Sequence, residues 1–169
     1  MQIHEGLGNA NKIMNRLLFD GFENFGLRIS EIDGGSLRNA IPRESNALVV
    51  IDAMHEEAFL LEMKQYAETI KTELKTMEPD LEIVTSKVES PKTIMDLGVQ
   101  EGLTRAIYAA CNGVYRMSAD IPELVETSNN MARVIVKNGE IEVACLTRSS
   151  VESSKMDLTN SLRAAFELT

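Results

Sequence analysis

Residues 132–147 read "ARVIVKNGEIEVACLT", two runs of alternating apolar and polar side chains around Asn138-Gly139. Asn-Gly supplies positive φ at both central positions of a type I′ turn, whose twist matches that of two antiparallel strands. The pattern predicts a β-hairpin, so the fold must contain an antiparallel sheet. Helical periods must supply whatever covers it.

Those helices are legible. Asn9 or Asn11 can cap a helix over "KIMNRLLFDGF", with Ile13, Leu17 and Leu18 on one face and an expected stop by Gly21. From about His55 to Met77 the residues Phe59, Met63, Ala67, Ile70, Leu74 and Met77 form one apolar stripe, and Pro79 ends the run. A third helix covers at least Gln100 to Cys111. A fourth follows the hairpin, with Leu158, Leu162, Ala165 and Leu168 on one side. Strands are expected at "LRISEI", at "NALVVIDA" (central, because both faces are apolar), at "LEIVTSKV" and at "GVYRMSA". The polar, Pro-containing "IPELVETSNNM" reads as a loop.

The order helix, strand, strand, helix, strand recurs loosely after Pro91. The expected fold class is therefore α/β (α+β): two ferredoxin-like α/β units, about 1–89 and 90–169, sharing a mainly antiparallel sheet with helices packed on one face. Neither end completes its unit, as expected of a piece of a longer chain.

The chain has 169 residues and a formal charge of -9, so it lacks the concentrated Lys and Arg that nucleic acid or an anionic membrane surface requires. No apolar run reaches the ~18–20 residues of a membrane span. The start, Met1-Gln2-Ile3-His4, has neither the basic residues nor the apolar stretch of an export signal. Cys111 and Cys145 then read as reduced core thiols in a cytoplasmic protein.

Chemistry is sparse. Asp52, His55 and Glu56 lie close in sequence, but no second histidine stands at ligand spacing, and a solvated helix start explains them. His4 has the same plain explanation. No nucleophile elbow surrounds any Ser, and "GLGNAN" is not a phosphate-binding glycine pattern. Two polar residues at strand ends remain. Asn39, in "GGSLRNAIPRES", offers an amide donor and acceptor on a loop constrained by Gly34, Gly35 and Pro42. Arg148, in "LTRSSVESS", can grip a carboxylate with two parallel hydrogen bonds. On residue chemistry alone, a turn asparagine and a surface ion pair are the simpler readings.

"IHEGLGNANK", "GGSLRNAIPRES", "IPELVETSNNMA" and "LTRSSVESSK" resemble successive motifs of the aminoacyl-histidine dipeptidases, also called cytosol non-specific dipeptidases. These are carnosinase relatives in the co-catalytic zinc aminopeptidase and aminoacylase superfamily. The matches span residue 3 to about 155; one departure is Glu123, where the family pattern has Gly. The resemblance implies the lid domain only, without the catalytic domain. No catalytic residue and no metal ligand of the family has a counterpart here. The family's lid histidine, in "GGHSG", would fall ahead of residue 1, so His4 does not inherit its role.

Two positions carry over from the resemblance. Asn39 matches the lid asparagine near the scissile group, and Arg148 the lid arginine that holds the dipeptide's C-terminal carboxylate. The implied partners are a dipeptide such as Xaa-His, the catalytic domain of the same polypeptide with two divalent metals (zinc), and a second copy in a homodimer. The fragment alone is expected to be inactive. The competing reading is a non-catalytic α/β module for dimerisation or small-ligand binding.

Overall fold

The structure, a computed structural model, describes residues 3–168. Four helices and five strands follow one another as α1 (Ala10–Phe25), β1 (Arg28–Gly34), β2 (Ser45–Val50), α2 (Glu56–Leu74), α3 (Leu97–Ala109), β3 (Gly113–Met117), β4 (Val125–Lys137), β5 (Glu140–Ser149) and α4 (Glu152–Glu167). The strands form one antiparallel sheet organised around β4. One edge of β4 pairs with β5 from Thr127↔Ser149 to Lys137↔Glu140. The other edge is shared: β3 pairs with its first half and β1 with its second, and β2 extends the sheet beyond β1.

The hairpin is as the sequence predicts. Asn138 and Gly139 carry φ of 55° and 78°, and Lys137 faces Glu140 across the turn. Directly opposed residues of a ladder point to the same face. The pairs Ile32↔Val136, Val134↔Val143 and Met131↔Cys145 all belong to the core. The buried stripes of all four helices join that same cluster, through Leu17, Leu18, Phe59, Met63, Ile70, Leu103, Ile107, Leu158 and Leu162. The helices thus cover one face of the sheet, and the fold is an open antiparallel sheet flanked by helices.

Several boundaries differ from the sequence expectation. α1 does not stop at Gly21 but runs to Phe25, where Gly26 closes it at φ 64°. Gly21 serves packing instead, since a Cβ there would meet Leu27 Cδ1 at 2.7 Å. α2 ends at Leu74, and α3 at Ala109 rather than Cys111. Lys12 Nζ caps the end of α3, donating to the carbonyls of Ile107, Tyr108 and the C-cap residue Ala110 at 2.6–2.9 Å. Leu168 is 90% exposed and leaves the α4 stripe.

The segment 81–88 contains no strand. Leu81 and Ile83 reach the core, Val84 and Val88 face solvent, and Lys87 pairs with Glu56 at 2.8 Å. Alternation can select an extended backbone, but a strand also needs a ladder neighbour, and the segment has none among the described residues. β2 is likewise not central: it pairs with β1 alone, leaving Leu48 and Val50 half-buried.

The largest correction is "IPELVETSNNM". From Val125 onward it is not a loop but the first half of β4. Thr127, Ser128, Asn129 and Asn130 are all buried, and each amide or hydroxyl needs a partner there. Thr127 Oγ1 bonds Ser149 Oγ at 2.8 Å, and Asn129 Nδ2 donates to the Cys111 carbonyl at 2.7 Å. Asn129 Oδ1 accepts from Thr147 Oγ1 at 3.1 Å. Polarity misled the sequence reading because the compensating partners lie 18 or more residues away.

Candidate substrate-binding face

The loop between β1 and β2 leaves the sheet at Gly34-Gly35, where a side chain on Gly34 would have to displace the Asn11 amide and one on Gly35 would meet backbone. A Cβ on Gly34 would sit 1.9 Å from Asn11 Oδ1. Gly35 has φ of 79°, where only glycine is unstrained, and a Cβ there would lie 2.0 Å from the Ala132 carbonyl oxygen.

The loop is then fastened at successive points. Gly35 N–H donates to the Glu44 carbonyl at 3.2 Å, and Ala10 N–H donates to the Pro42 carbonyl at 3.0 Å. Asn130 Nδ2 donates to the Ala40 carbonyl at 2.7 Å. Arg43 grips Glu78 through both guanidinium arms, Nη1 to Oε1 at 2.6 Å, and Gly8 N–H adds a third bond at 2.9 Å. Arg43, with the Gly8 N–H assisting against the cost of burial, holds the Glu78 carboxyl below its ordinary range. Only the turn 37–40 projects, closed by Ala40 N–H to the Leu37 carbonyl at 3.2 Å. Leu37, Arg38 and Asn39 on it are exposed.

Arg148 stands opposite Ser128 in the β4–β5 ladder, and Leu146 stands opposite Asn130. These positions alternate with the core-facing Met131, Cys145 and Thr147, so they belong to the face that carries no helix. Arg148 is exposed and makes no ion pair among the described residues, so the surface-pair reading has no carboxylate to rest on. Asn130, two residues from Ser128, holds the residue after Asn39. β4 therefore anchors the Asn39 turn through Asn130 and stands opposite Arg148 of β5 through Ser128.

The other sequence candidates do not converge. Asp52 Oδ1 caps a short turn by accepting Met54 N–H at 2.9 Å. His55 opens α2 and meets Phe25 edge-on, with ring centroids 6.4 Å apart. Glu56 is taken by Lys87. His4 is exposed in a short turn at Ile3–Glu5. Among the described residues no group of three or more His, Cys, Asp or Glu could hold a metal ion, and no helix is long and apolar enough to cross a membrane. Cys111 and Cys145 are free and partly buried, and burial pushes both thiols up, away from the reactive thiolate.

Sequence reasoning missed the buried amides. Gln100, wholly buried in α3, donates to the Leu27 carbonyl at 2.8 Å and accepts Ile29 N–H at 2.7 Å. It serves the backbone beside the bulge that interrupts the β1–β2 register. Asn9 does more than cap α1: its Nδ2 also reaches Asn112 Oδ1, Asn130 Oδ1 and the Met131 carbonyl at 3.0–3.2 Å. The one available signal was a doubled Asn immediately before an alternating strand.

Comparison with known proteins gives this geometry a context. A family described as a peptidase dimerisation domain matches residues 1–78. The cytosol non-specific dipeptidase of Escherichia coli (strain K12) is 36% identical over 154 residues, 91% of this chain and 32% of that protein. The crystal structure of aminoacylhistidine dipeptidase from Vibrio alginolyticus superposes with a TM-score of 0.95 at 35% identity, covering 98% of this chain and 34% of that one. The chain thus spans about a third of the length of the relatives it matches. It is homologous to the cytosol non-specific and aminoacylhistidine dipeptidases, and corresponds to the lid and dimerisation portion of such a longer chain.

Proposed function

We propose that this chain is the lid of a metal-dependent dipeptidase, and that it positions a dipeptide such as Xaa-His through Asn39 and Arg148. In this reading the lid consists of two α/β units, 1–89 and 90–169. The observation that carries it is the 36% identity to a dipeptidase over nearly the whole chain; the anchoring of the Asn39 turn to β4, whose Ser128 stands opposite Arg148 of β5, supports it.

Asn39 has both a donor and an acceptor to offer the amide near the scissile group. Arg148 has a planar fork that suits the free C-terminal carboxylate. A longer peptide would present an amide in place of that carboxylate and leave the charge unmatched. The lid also excludes bulk water and orients the substrate. The two divalent metal ions, zinc, belong to the catalytic portion of the polypeptide in this reading. No cluster among the described residues fits them, and in this reading the part played here is binding and orientation, with the chain alone inactive. A cytoplasmic setting and a homodimeric state follow the names of the relatives and of the matched family.

The test uses an enzyme in which this chain replaces the matching third of the E. coli dipeptidase. Arg148→Lys keeps the charge but loses the fork. It should lower kcat/KM for a free-acid dipeptide by roughly 30- to 1000-fold, about 2–4 kcal/mol. The loss should shrink for the corresponding dipeptide amide. Equal losses on both substrates would remove the carboxylate role.

A further inference from the structure

β4 changes neighbours in its middle. β3 pairs with its residues up to Asn129 and β1 begins at Val134, so residues 130–133 face neither strand on that edge. Buried backbone groups need partners, and asparagines take the place of the missing strand. Asn112 Oδ1 accepts Met131 N–H at 2.9 Å, and Asn9 Nδ2 and Asn11 Nδ2 donate to the Met131 carbonyl at 3.1 and 3.4 Å.

Asn130 has a different task. It is wholly buried, its Oδ1 accepts from Asn9 Nδ2 at 3.2 Å, and its Nδ2 donates to the Ala40 carbonyl at 2.7 Å. The two neighbours agree on the orientation of the amide, one being a donor and the other an acceptor. A carboxylate of the same shape could not donate to Ala40. Ala40 directly follows Asn39, and Asn130 lies two residues from the position that faces Arg148.

We infer that Asn130 is a positioning residue for substrate recognition: it fixes the Asn39 turn relative to Arg148 without touching substrate itself. The inference rests on the dipeptidase reading for the roles of Asn39 and Arg148.

Two measurements on Asn130→Asp test it. In the 169-residue chain, hydrogen exchange at the Ala40 amide should quicken by about 10-fold or more, while Val134 and Val136 stay protected. In the chimeric enzyme, kcat/KM for a dipeptide should fall roughly 10- to 100-fold. In an Asn39→Ala background the same change should add less than about 2-fold, because a residue acting through Asn39 is silent once Asn39 is gone. Full additivity with Asn39→Ala, or an Ala40 amide that stays protected, overturns the positioning role. An Asn39→Ala enzyme with unchanged kcat/KM is a separate failure and overturns the substrate reading. If Val134 and Val136 lose protection in Asn130→Asp, Asn130→Ser gives the same readings, since its hydroxyl is too short to reach Ala40.

Discussion

The two halves of β4 belong to one strand and share one partner, β5, yet different forces hold them. The second half, from Met131 to Lys137, places Met131, Val134 and Val136 in the core, with Cys145 and Val143 packed against it. Apolar burial is non-directional, so that half asks for shape and volume. The first half buries Thr127, Asn129 and Asn130 through specific hydrogen bonds. There each partner must be the right atom in the right place, because an orphaned buried polar group costs about 1–3 kcal/mol. The directional half is the one that anchors the Asn39 loop, through Asn130, and stands opposite Arg148, at Ser128.

Gly35→Ala should break the arrangement most severely. The new Cβ meets the Ala132 carbonyl and the backbone is left-handed there, so the loop must leave its seat on β4. We expect a loss of about 3–5 kcal/mol in denaturant unfolding; a loss below about 1 kcal/mol would mean the loop has another seat.

A matched pair of substitutions sharpens the contrast between the halves. Asn129→Leu conserves size but orphans the Cys111 carbonyl and the Thr147 hydroxyl, and should cost about 2–3 kcal/mol. Met131→Leu, a nearly volume-conserving change in the apolar half, should cost less than about 1.5 kcal/mol. Equal costs in urea unfolding would dissolve the distinction.

Acid should loosen the loop's far anchor. The Glu78 carboxyl is depressed in the folded state, chiefly by Arg43, relative to an unfolded value near ~4.3. Its contribution is therefore complete above that value and is lost as pH falls through the folded one. Wild type should lose more Tm than Glu78→Gln between neutral pH and the acid range, and parallel curves would remove Glu78 from the pH response.

The smallest effect should come from Glu123→Gly, at the entrance to the polar half. Glu123 holds φ of 63°, where a side chain is strained and glycine is not. Relief of strain, offset by a more flexible unfolded chain, should leave a net gain of about 0.5–1 kcal/mol in Tm-derived stability.

Much was legible in the sequence where local rules suffice. The type I′ hairpin follows from Asn138-Gly139 and the runs beside it, because φ preference and side-chain period act within a few residues. The α2 stripe through Phe59, Met63, Ala67 and Ile70 is buried as its spacing requires. Asn39 and Arg148 are candidates through the resemblance, whose motifs lie beside them in sequence, and their roles belong to the proposal.

Tertiary structure alone decided the rest. It made Val125–Asn130 a strand, because its amides find partners as distant as Ala40 and Asn9. It left 81–88 without a ladder and β2 at the end of the strand order, since pairing depends on which backbone lies alongside. It turned Gly35 from a loop residue into a steric necessity through the Ala132 carbonyl. Periodicity records how a segment meets the solvent and the core; a directional bond between residues ninety positions apart, such as Asn130 to Ala40, leaves no period to read.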